Sequence, residues 1–187
     1  MASMTIGYAV IAAVVVLCAW MARINARYAE AEKAREAGPD AKVEDLWSAF
    51  GMPEHSEADA GARVGELLEA VTPNDLRSKH AVVALAIMAA RTGHHDVLEP
   101  LAQRAAKLDG GCGETAALGV LAAAYSGDLR LAQERHARSQ SAMAGCGSCG
   151  SSGDAKILMQ EVALALDALQ SGALDTQEPL DVRRVAL

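Results

Sequence analysis

Aromatic residues are scarce in this chain of 187 residues, which contains one Phe, two Trp and three Tyr. The alternation of β-branched and aromatic residues with polar ones that marks β-strands is almost absent. Alanine dominates the apolar residues, which make up 51% of the chain, and its helix propensity and small side chain favour closely packed helices. The expected fold class is therefore all-α, which is favoured over a β-sandwich.

Charge is missing from the start of the chain, where no Asp, Glu, Lys or Arg precedes Arg23. Residues 4–22 are 19 uncharged, mostly apolar positions. A helix of this length nearly crosses a hydrocarbon core of about 30 Å. Tyr8 and Trp20 lie near its two ends, where aromatic rings prefer the lipid headgroups. We expect a transmembrane helix in the lipid bilayer. The alternative is a cleaved signal peptide, although a basic first region and a small-residue cleavage site are not evident.

Basic residues follow this segment but do not precede it, and Arg23 and Arg27 are the first of four in the next 15 residues. Positive residues are retained on the cytoplasmic side. We therefore expect a single-pass membrane protein with its N-terminus outside and its C-terminal domain on the cytoplasmic, matrix or stromal side. The predicted domains are a transmembrane helix with a helical stalk over 1–37 and a helical-repeat domain over 38–187.

Small residues recur four positions apart in the apolar segment, where Gly7 follows Ser3 and Ala13 follows Ala9. Such pairs allow a second membrane helix to approach closely. Gly7, Ala9 and Ala13 are therefore candidates for contact with integral subunits of a membrane complex. The alternative is that an alanine-rich segment contains these pairs by chance.

Beyond residue 37 the chain is acidic, with 13 basic against 21 acidic residues and a net charge of −8. An acidic domain repels phosphate backbones, which disfavours nucleic acid as a partner. The Gly-Lys-Ser/Thr phosphate loop, His-Glu-x-x-His and Gly-x-Ser-x-Gly are all missing. We expect no enzymatic activity and no cofactor.

Cys146 and Cys149 form a Cys-x-x-Cys pair in a segment rich in glycine and serine. A zinc site completed by Cys112 and His136 is one interpretation, and a redox thiol pair is another. A structural zinc site usually has two close ligand pairs, and a redox pair needs a strand beside it; neither is evident. A glycine-rich loop between two helices is the simpler interpretation, and an incidental disulfide is a further alternative.

Polar caps mark the expected helix boundaries. Asp40 is a predicted N-cap, and Ser56 opens a second helix in a capping-box pattern. Thr72 is a third predicted cap, with Pro73 at the first helical position and Asp75 placed to reach back to the cap.

A repeat is marked by glycine at expected helix ends. Gly127 follows Gly93 at an offset of 34 residues, and each is preceded by an apolar helix and followed by a more charged one. Gly172 ends a third, imperfect copy at an offset of 45, and the 11 additional residues fall in the segment with Cys146 and Cys149. One hairpin cannot bury its apolar face alone, so the hairpins are expected to stack as a short α-solenoid.

Residues 79–174 resemble the tetratricopeptide repeat, a helical hairpin of 34 residues. Gly93 stands at its turn glycine, Ala105 at its small position, and the segment RAAKLDG at 104–110 is similar to its closing pattern. The consensus aromatic residues are missing, and Gly110 replaces the closing proline.

In that family the first helix of each hairpin lines a concave groove that holds segments of partner proteins. The resemblance places eight side chains there: His80, Val83, Ile87, Arg91, Glu114, Ala117, Leu121 and Tyr125. His80, Arg91, Glu114, Leu121 and Tyr125 are the expected partner-binding residues. Arg91 and Tyr125 lead because long, polar-tipped side chains near a helix end can reach a ligand. The alternative for Val83, Ile87 and Leu121 is ordinary core.

The expected function is that of a non-enzymatic accessory, assembly or scaffold subunit of a larger membrane complex, docking through its membrane helix and helical repeats. The alternative is a membrane-anchored regulator or co-chaperone that recruits soluble clients through the groove. A third interpretation is a thiol- or zinc-dependent factor that uses Cys146 and Cys149.

Overall fold

The structure of the chain, a computed structural model, describes residues 17, 20, 21, 23–25, 38–50, 57–145 and 153–174, with the backbone alone for residues 57 and 58. All regular structure in these residues is helical, so the predicted all-α class is confirmed. The chain divides into two compact units, Met1–Gly38 and Pro39–Leu187.

The second unit contains seven α-helices with described bounds: α1 Pro39–Phe50, α2 Glu57–Ala70, α3 Lys79–Arg91, α4 Leu98–Asp109, α5 Gly113–Tyr125, α6 Leu129–Ala144 and α7 Gly153–Ser171. Short 3-10 turns at Pro73–Asp75 and His95–Val97 precede α3 and α4. Helix α3 contacts α4, and α5 contacts α6, as in two consecutive hairpins.

The predicted localisation is corrected by the lengths and polarity of these helices. No helix in the described part of the chain is both long and apolar enough to cross a membrane. The apolar helices α3 and α5 have 13 residues each, which is about 20 Å, whereas a hydrocarbon core is about 30 Å thick. Helix α7 has 19 residues but includes Asp154, Lys156, Glu161 and Asp167. On this finding, the prediction of a single-pass membrane protein with a cytoplasmic, matrix or stromal domain is wrong.

Most of the residues predicted to contact lipid or membrane subunits lie outside the described residues, namely Gly7, Tyr8, Ala9, Ala13 and Arg27. In the first unit, residues 17, 20, 21 and 23–25 are helical. Trp20 and Arg23 are both exposed there. The remainder of the predicted span and stalk lies outside the described residues.

The turn before α3 confirms that the Asp75 carboxylate reaches back to Thr72. The backbone N–H and the hydroxyl of Thr72 both donate to Asp75 Oδ2, at 3.0 and 2.8 Å. The turn stops after three residues because Leu76 has extended backbone. Helix α3 then begins after Ser78, whose hydroxyl accepts from the Ala81 N–H at 3.4 Å.

Asp40 has a different role from the predicted N-cap. It lies inside α1, and its Oδ1 accepts from the backbone N–H groups of Arg77 at 3.0 Å and of Ser78 at 3.2 Å. These donors immediately precede α3 and have no partner within that helix. Asp40 therefore ties α1 to the start of α3. Ser56, another predicted cap, lies outside the described residues.

The three glycines of the predicted repeat share one backbone conformation. Gly93, Gly127 and Gly172 have φ values of 82°, 78° and 71°, and they are the residues with positive φ in the described part of the chain. After each glycine, the next N–H donates to the carbonyl five residues earlier, at 2.9 to 3.2 Å. This arrangement ends a helix with a left-handed residue, which glycine adopts without the steric penalty of a Cβ.

The core is centred on α3 and α5. All ten residues at 81–90 of α3 are buried, and so are 11 of the 13 residues of α5. A helix that is apolar on all sides must be surrounded by other helices, and their many alanines allow close approach. In α6, by contrast, the buried residues are Ala132 and Ser139, so α6 covers the core from outside.

Helix α7 packs on both central helices, since it contacts α5 and also α3. In a solenoid each hairpin contacts its immediate neighbours. The contact of α3 with α7 skips the hairpin between them, so these contacts do not establish a solenoid. They place α7 against the two helices that were predicted to line a groove.

Candidate functional site

His80, at the start of α3, is within hydrogen-bond distance of α7. Its Nδ1 lies 2.7 Å from Oδ2 of Asp154 in the first turn of that helix. The other carboxylate oxygen, Oδ1, accepts from Nε1 of Trp47 on α1 at 3.1 Å. One carboxylate of α7 therefore joins α1, α3 and α7.

Arg91, at the end of α3, forms an ion pair with α7. Its Nε and Nη2 both donate to Oε1 of Glu161, at 2.9 and 2.6 Å. The Glu161 side chain is 1% exposed and the Arg91 side chain 26%. The other oxygen of Glu161 is buried with no hydrogen-bond partner among the described residues. The carboxylate is therefore held by Arg91, and losing that guanidinium would leave a buried charge uncompensated.

Tyr125, at the end of α5, lies near this ion pair. It is 4% exposed, and its hydroxyl has no hydrogen-bond partner in the described part of the chain. Burial raises the pKa of Tyr125 above its usual value, and the Glu161 carboxylate raises it further, against an opposing effect of Arg91. The ring of His95 stacks on the Tyr125 ring at a centroid distance of 4.0 Å. Tyr125 is therefore a neutral packing residue beside the Arg91–Glu161 pair.

Glu114, at the start of α5, pairs with α3. The Lys79 ammonium lies 3.2 Å from Oε2 of Glu114 and 3.4 Å from Oδ2 of Asp109, and it donates to Sγ of Cys112 at 3.2 Å. Partial burial by itself lowers the pKa of Lys79, but the hydrogen bonds to Cys112 and Glu114 outweigh it and raise that pKa above its usual value. Lys79 is therefore a charged link between α3 and α5.

The apolar residues of the predicted groove are core residues. Val83, Ile87, Ala117 and Leu121 are each 3% exposed or less and belong to the main apolar cluster. This arrangement agrees with the alternative interpretation of Val83, Ile87 and Leu121 as ordinary core. Partner binding by His80, Arg91, Glu114, Leu121 and Tyr125 stays a prediction.

The acidic residues of α7 were not foreseen from the sequence as partners of α3. Glu161 nevertheless carries a signal, because it lies on the same helix face as the buried Leu158, Val162 and Ala165. A carboxylate within an apolar stripe needs a buried cation or donor. Asp154 carries no comparable signal, since a carboxylate in the first turn of a helix is common.

Metal binding finds no support in the described residues, where no group of three or more His, Cys, Asp or Glu side chains is arranged to hold an ion. Cys112 is buried just before α5, and His136 lies on α6. Cys146 and Cys149, which the zinc and thiol interpretations require, lie outside the described residues.

Comparison with known proteins gives no relative: no family model, no curated protein and no solved structure matches the chain. The resemblance to tetratricopeptide repeats therefore depends on the residues that suggested it.

Proposed function

We propose that the second unit is a non-enzymatic scaffold or assembly domain that holds an amphipathic helix of another protein in a groove formed by α3 and α5. In this proposal, α3–α4 and α5–α6 are tetratricopeptide-like hairpins of a short α-solenoid, and α7 fills their groove when no partner is bound. The observation that carries it is the pair of carboxylates by which α7 is held on α3, Asp154 on His80 and Glu161 on Arg91.

The chemistry of the partner follows from α7. Asp154 and Glu161 are seven residues apart, so they lie two turns apart on one helix face. Between and beside them Leu158, Val162 and Ala165 form a buried apolar stripe. A partner helix with two carboxylates at this spacing and a similar stripe would make the same contacts, as in other helix-in-groove complexes.

Competition with α7 sets how tightly a partner must bind. Because α7 belongs to the same chain, its effective concentration at the groove is on the order of millimolar. A free helix with the same contacts therefore binds weakly to the intact protein. Weakening the hold of α7 on α3 should expose the groove to a helix added in solution.

A labelled peptide of residues 153–174 tests the proposal on the full chain. With Glu161→Ala in the chain, we expect the peptide to bind about tenfold more tightly than it binds the unaltered chain, measured by fluorescence anisotropy. The matched control is Asp167→Ala, which removes an exposed carboxylate from the same helix and should leave peptide affinity unchanged.

The peptide itself supplies the second control. A peptide with alanine in place of Glu161 should bind the Glu161→Ala chain about tenfold less well than the natural peptide. Equal binding of the two peptides, or no binding to the Glu161→Ala chain, would contradict a groove that selects a carboxylate-bearing helix.

A further inference from the structure

A cleft opens between α4, α5 and α6. None of the residues that line it is among those predicted to line the α3–α5 groove. Its volume is about 240 Å³. Small residues form its walls: Ala102 and Ala106 on α4, and Ala116 and Gly119 on α5. Larger side chains at these positions would fill the space. The cleft therefore exists because α4, α5 and α6 present small residues or the aliphatic stems of long side chains to it.

One residue that lines the cleft, Thr115, carries a buried hydroxyl that is unpaired among the described residues. Thr115 is 5% exposed. Buried hydroxyls are normally paired. Ser139, buried on α6, shows the usual arrangement, because its Oγ donates to the Gly113 carbonyl at 3.1 Å.

Two arginine side chains line the cleft, although the net charge of the chain beyond residue 37 is negative. Arg135 is engaged, since its Nη1 donates to Glu99 Oε2 and to the Gly119 carbonyl, both at 2.8 Å. Arg138 is 73% exposed and pairs with Glu134, its neighbour on α6. An exposed pair within one helix is weak, so Arg138 can exchange Glu134 for a carboxylate of a partner.

We propose that the α4–α5–α6 cleft docks a peptide segment of a partner protein in which a side chain the size of Leu or Phe lies beside a carboxylate. The apolar side chain enters between Ala106 and Ala116, the carboxylate pairs with Arg138, and the buried Thr115 hydroxyl turns toward the cleft to bond to the peptide. This site is separate from the α3–α5 groove and does not depend on the function proposed for that groove.

The size of the cleft favours a single side chain over a larger ligand. A cavity of about 150 Å³ accepts benzene, and pockets for drug-sized molecules usually occupy about 300–1,000 Å³. The cleft therefore holds one aromatic or branched aliphatic group, and further binding has to come from the charges around it. A single buried anchor with a charged rim is the usual form of a peptide hot spot.

The test uses the full chain and a fluorescein-labelled peptide, Gly-Ser-Glu-Phe-Glu-Gly-Ser. We expect saturable binding by fluorescence anisotropy, with amide NMR shifts confined to α4, α5 and α6. A peptide with Ala in place of Phe, and one with Lys in place of both Glu, should bind about tenfold less well. Similar binding of all three peptides, or NMR shifts at α3 and α7 instead, would overturn the proposal.

Variants with matched controls locate the contact. Ala106→Leu fills the cleft from an exposed position and should abolish binding, whereas Ala137→Leu, exposed on α6 outside the cleft, should not. Arg138→Glu should weaken binding about tenfold. Arg130→Glu should have no such effect, because Arg130 pairs with the same Glu134 but does not line the cleft.

Two further measurements distinguish peptide docking from a general loss of structure and from the binding of a small molecule. Thr115→Val should weaken peptide binding severalfold while the protein stays folded. Such a result could not be caused by a general loss of structure. Phenylacetate supplies the ring and the carboxylate without a peptide, and it should bind about tenfold less well than the peptide. Equal binding of phenylacetate would show a small-molecule site and would overturn docking of a peptide.

Discussion

Two arginine–glutamate pairs flank α5, and they differ in the burial of the carboxylate. The arginine side chains of both pairs, Arg91–Glu161 and Arg135–Glu99, are 26% exposed. Glu161 is 1% exposed, whereas Glu99 is 47% exposed. On the first side α7 covers the pair, and on the second side the cleft leaves its pair in contact with water.

The pair that α7 covers is expected to contribute more to the stability of the fold than the pair at the open cleft. A buried carboxylate depends on its one cation, because water cannot replace that cation when it is lost. An exposed carboxylate is solvated whether or not the pair forms. The side covered by α7 is therefore expected to stabilise the fold, whereas the cleft side is open to a partner without displacement of α7.

Removing the arginine from each pair in turn should give the largest difference in stability between the two sides of α5. Arg91→Ala leaves Glu161 buried without a cation and should lower the free energy of unfolding by about 3 kcal/mol. Arg135→Ala should cost about 1 kcal/mol, since Glu99 returns to water. Urea unfolding of the three proteins measures both values.

The replacement of Arg91 by Met together with Glu161 by Leu is the control for that prediction. Apolar residues of similar size remove the buried charge as well as the pair, so most of the lost stability should return. Equal losses for Arg91→Ala and Arg135→Ala would show that burial of the carboxylate does not distinguish the two sides.

The glycine between α5 and α6 tests whether the hairpin that forms the cleft depends on a left-handed residue. Gly127 has φ of 78°, and a Cβ there would meet nothing within 4 Å. Gly127→Ala should therefore cost about 1–2 kcal/mol from backbone strain alone. Gly111→Ala is the control, because that position has the same free space without a positive φ. Thermal unfolding should show little change for Gly111→Ala, and equal losses at both sites would rule out strain.

Two buried hydroxyls, one on α5 and one on α6, should differ in what they contribute to stability. Ser139→Ala removes a hydroxyl that donates to the Gly113 carbonyl and should cost about 1 kcal/mol. Thr115→Val removes a hydroxyl that has no partner in the described part of the chain, so stability should be unchanged or higher by up to about 1 kcal/mol. A clear loss of stability for Thr115→Val in urea unfolding would show that its hydroxyl is satisfied in the fold.

The smallest expected effect is in the acid range. Hydrogen bonds from the Arg135 guanidinium lower the pKa of Glu99, against an opposing effect of partial burial. A folded pKa below the unfolded value, about 4.3, stabilises the fold above that pH, and this contribution is lost as the pH falls through the folded pKa. Glu99→Gln should therefore flatten the dependence of the urea midpoint on pH below about 4.3. An unchanged pH dependence of the urea midpoint in Glu99→Gln would show that the hydrogen bonds from Arg135 do not stabilise the carboxylate.

Local features of the fold could be predicted from the sequence because their causes lie within a few residues. The helix ends at Gly93, Gly127 and Gly172 follow from the need for a left-handed residue, and the Thr72–Asp75 capping box follows from a spacing of three. The abundance of alanine and the absence of strand patterns predicted the all-α class for the same reason.

Contacts between distant residues could not be predicted in this way. Asp40 bonds to backbone groups 37 and 38 positions later, and Glu161 pairs with Arg91 across 70 positions. Such contacts depend on how helices are placed in space, which the spacing of residues along one helix does not specify. The residues predicted to line a groove lie on α3 and α5, and the contacts of His80 and Arg91 with α7 were not predicted.

Amide hydrogen exchange in α7 tests the central claim most directly, namely that α7 is held on α3 by the Arg91–Glu161 pair. In the unaltered chain, the amides of α7 should be about as protected as those of α3 and α5. Glu161→Ala should reduce protection in α7 at least tenfold more than in α4 or α6. If the α7 amides of the unaltered chain exchanged at the rate of an unstructured peptide, α7 would not be held on α3.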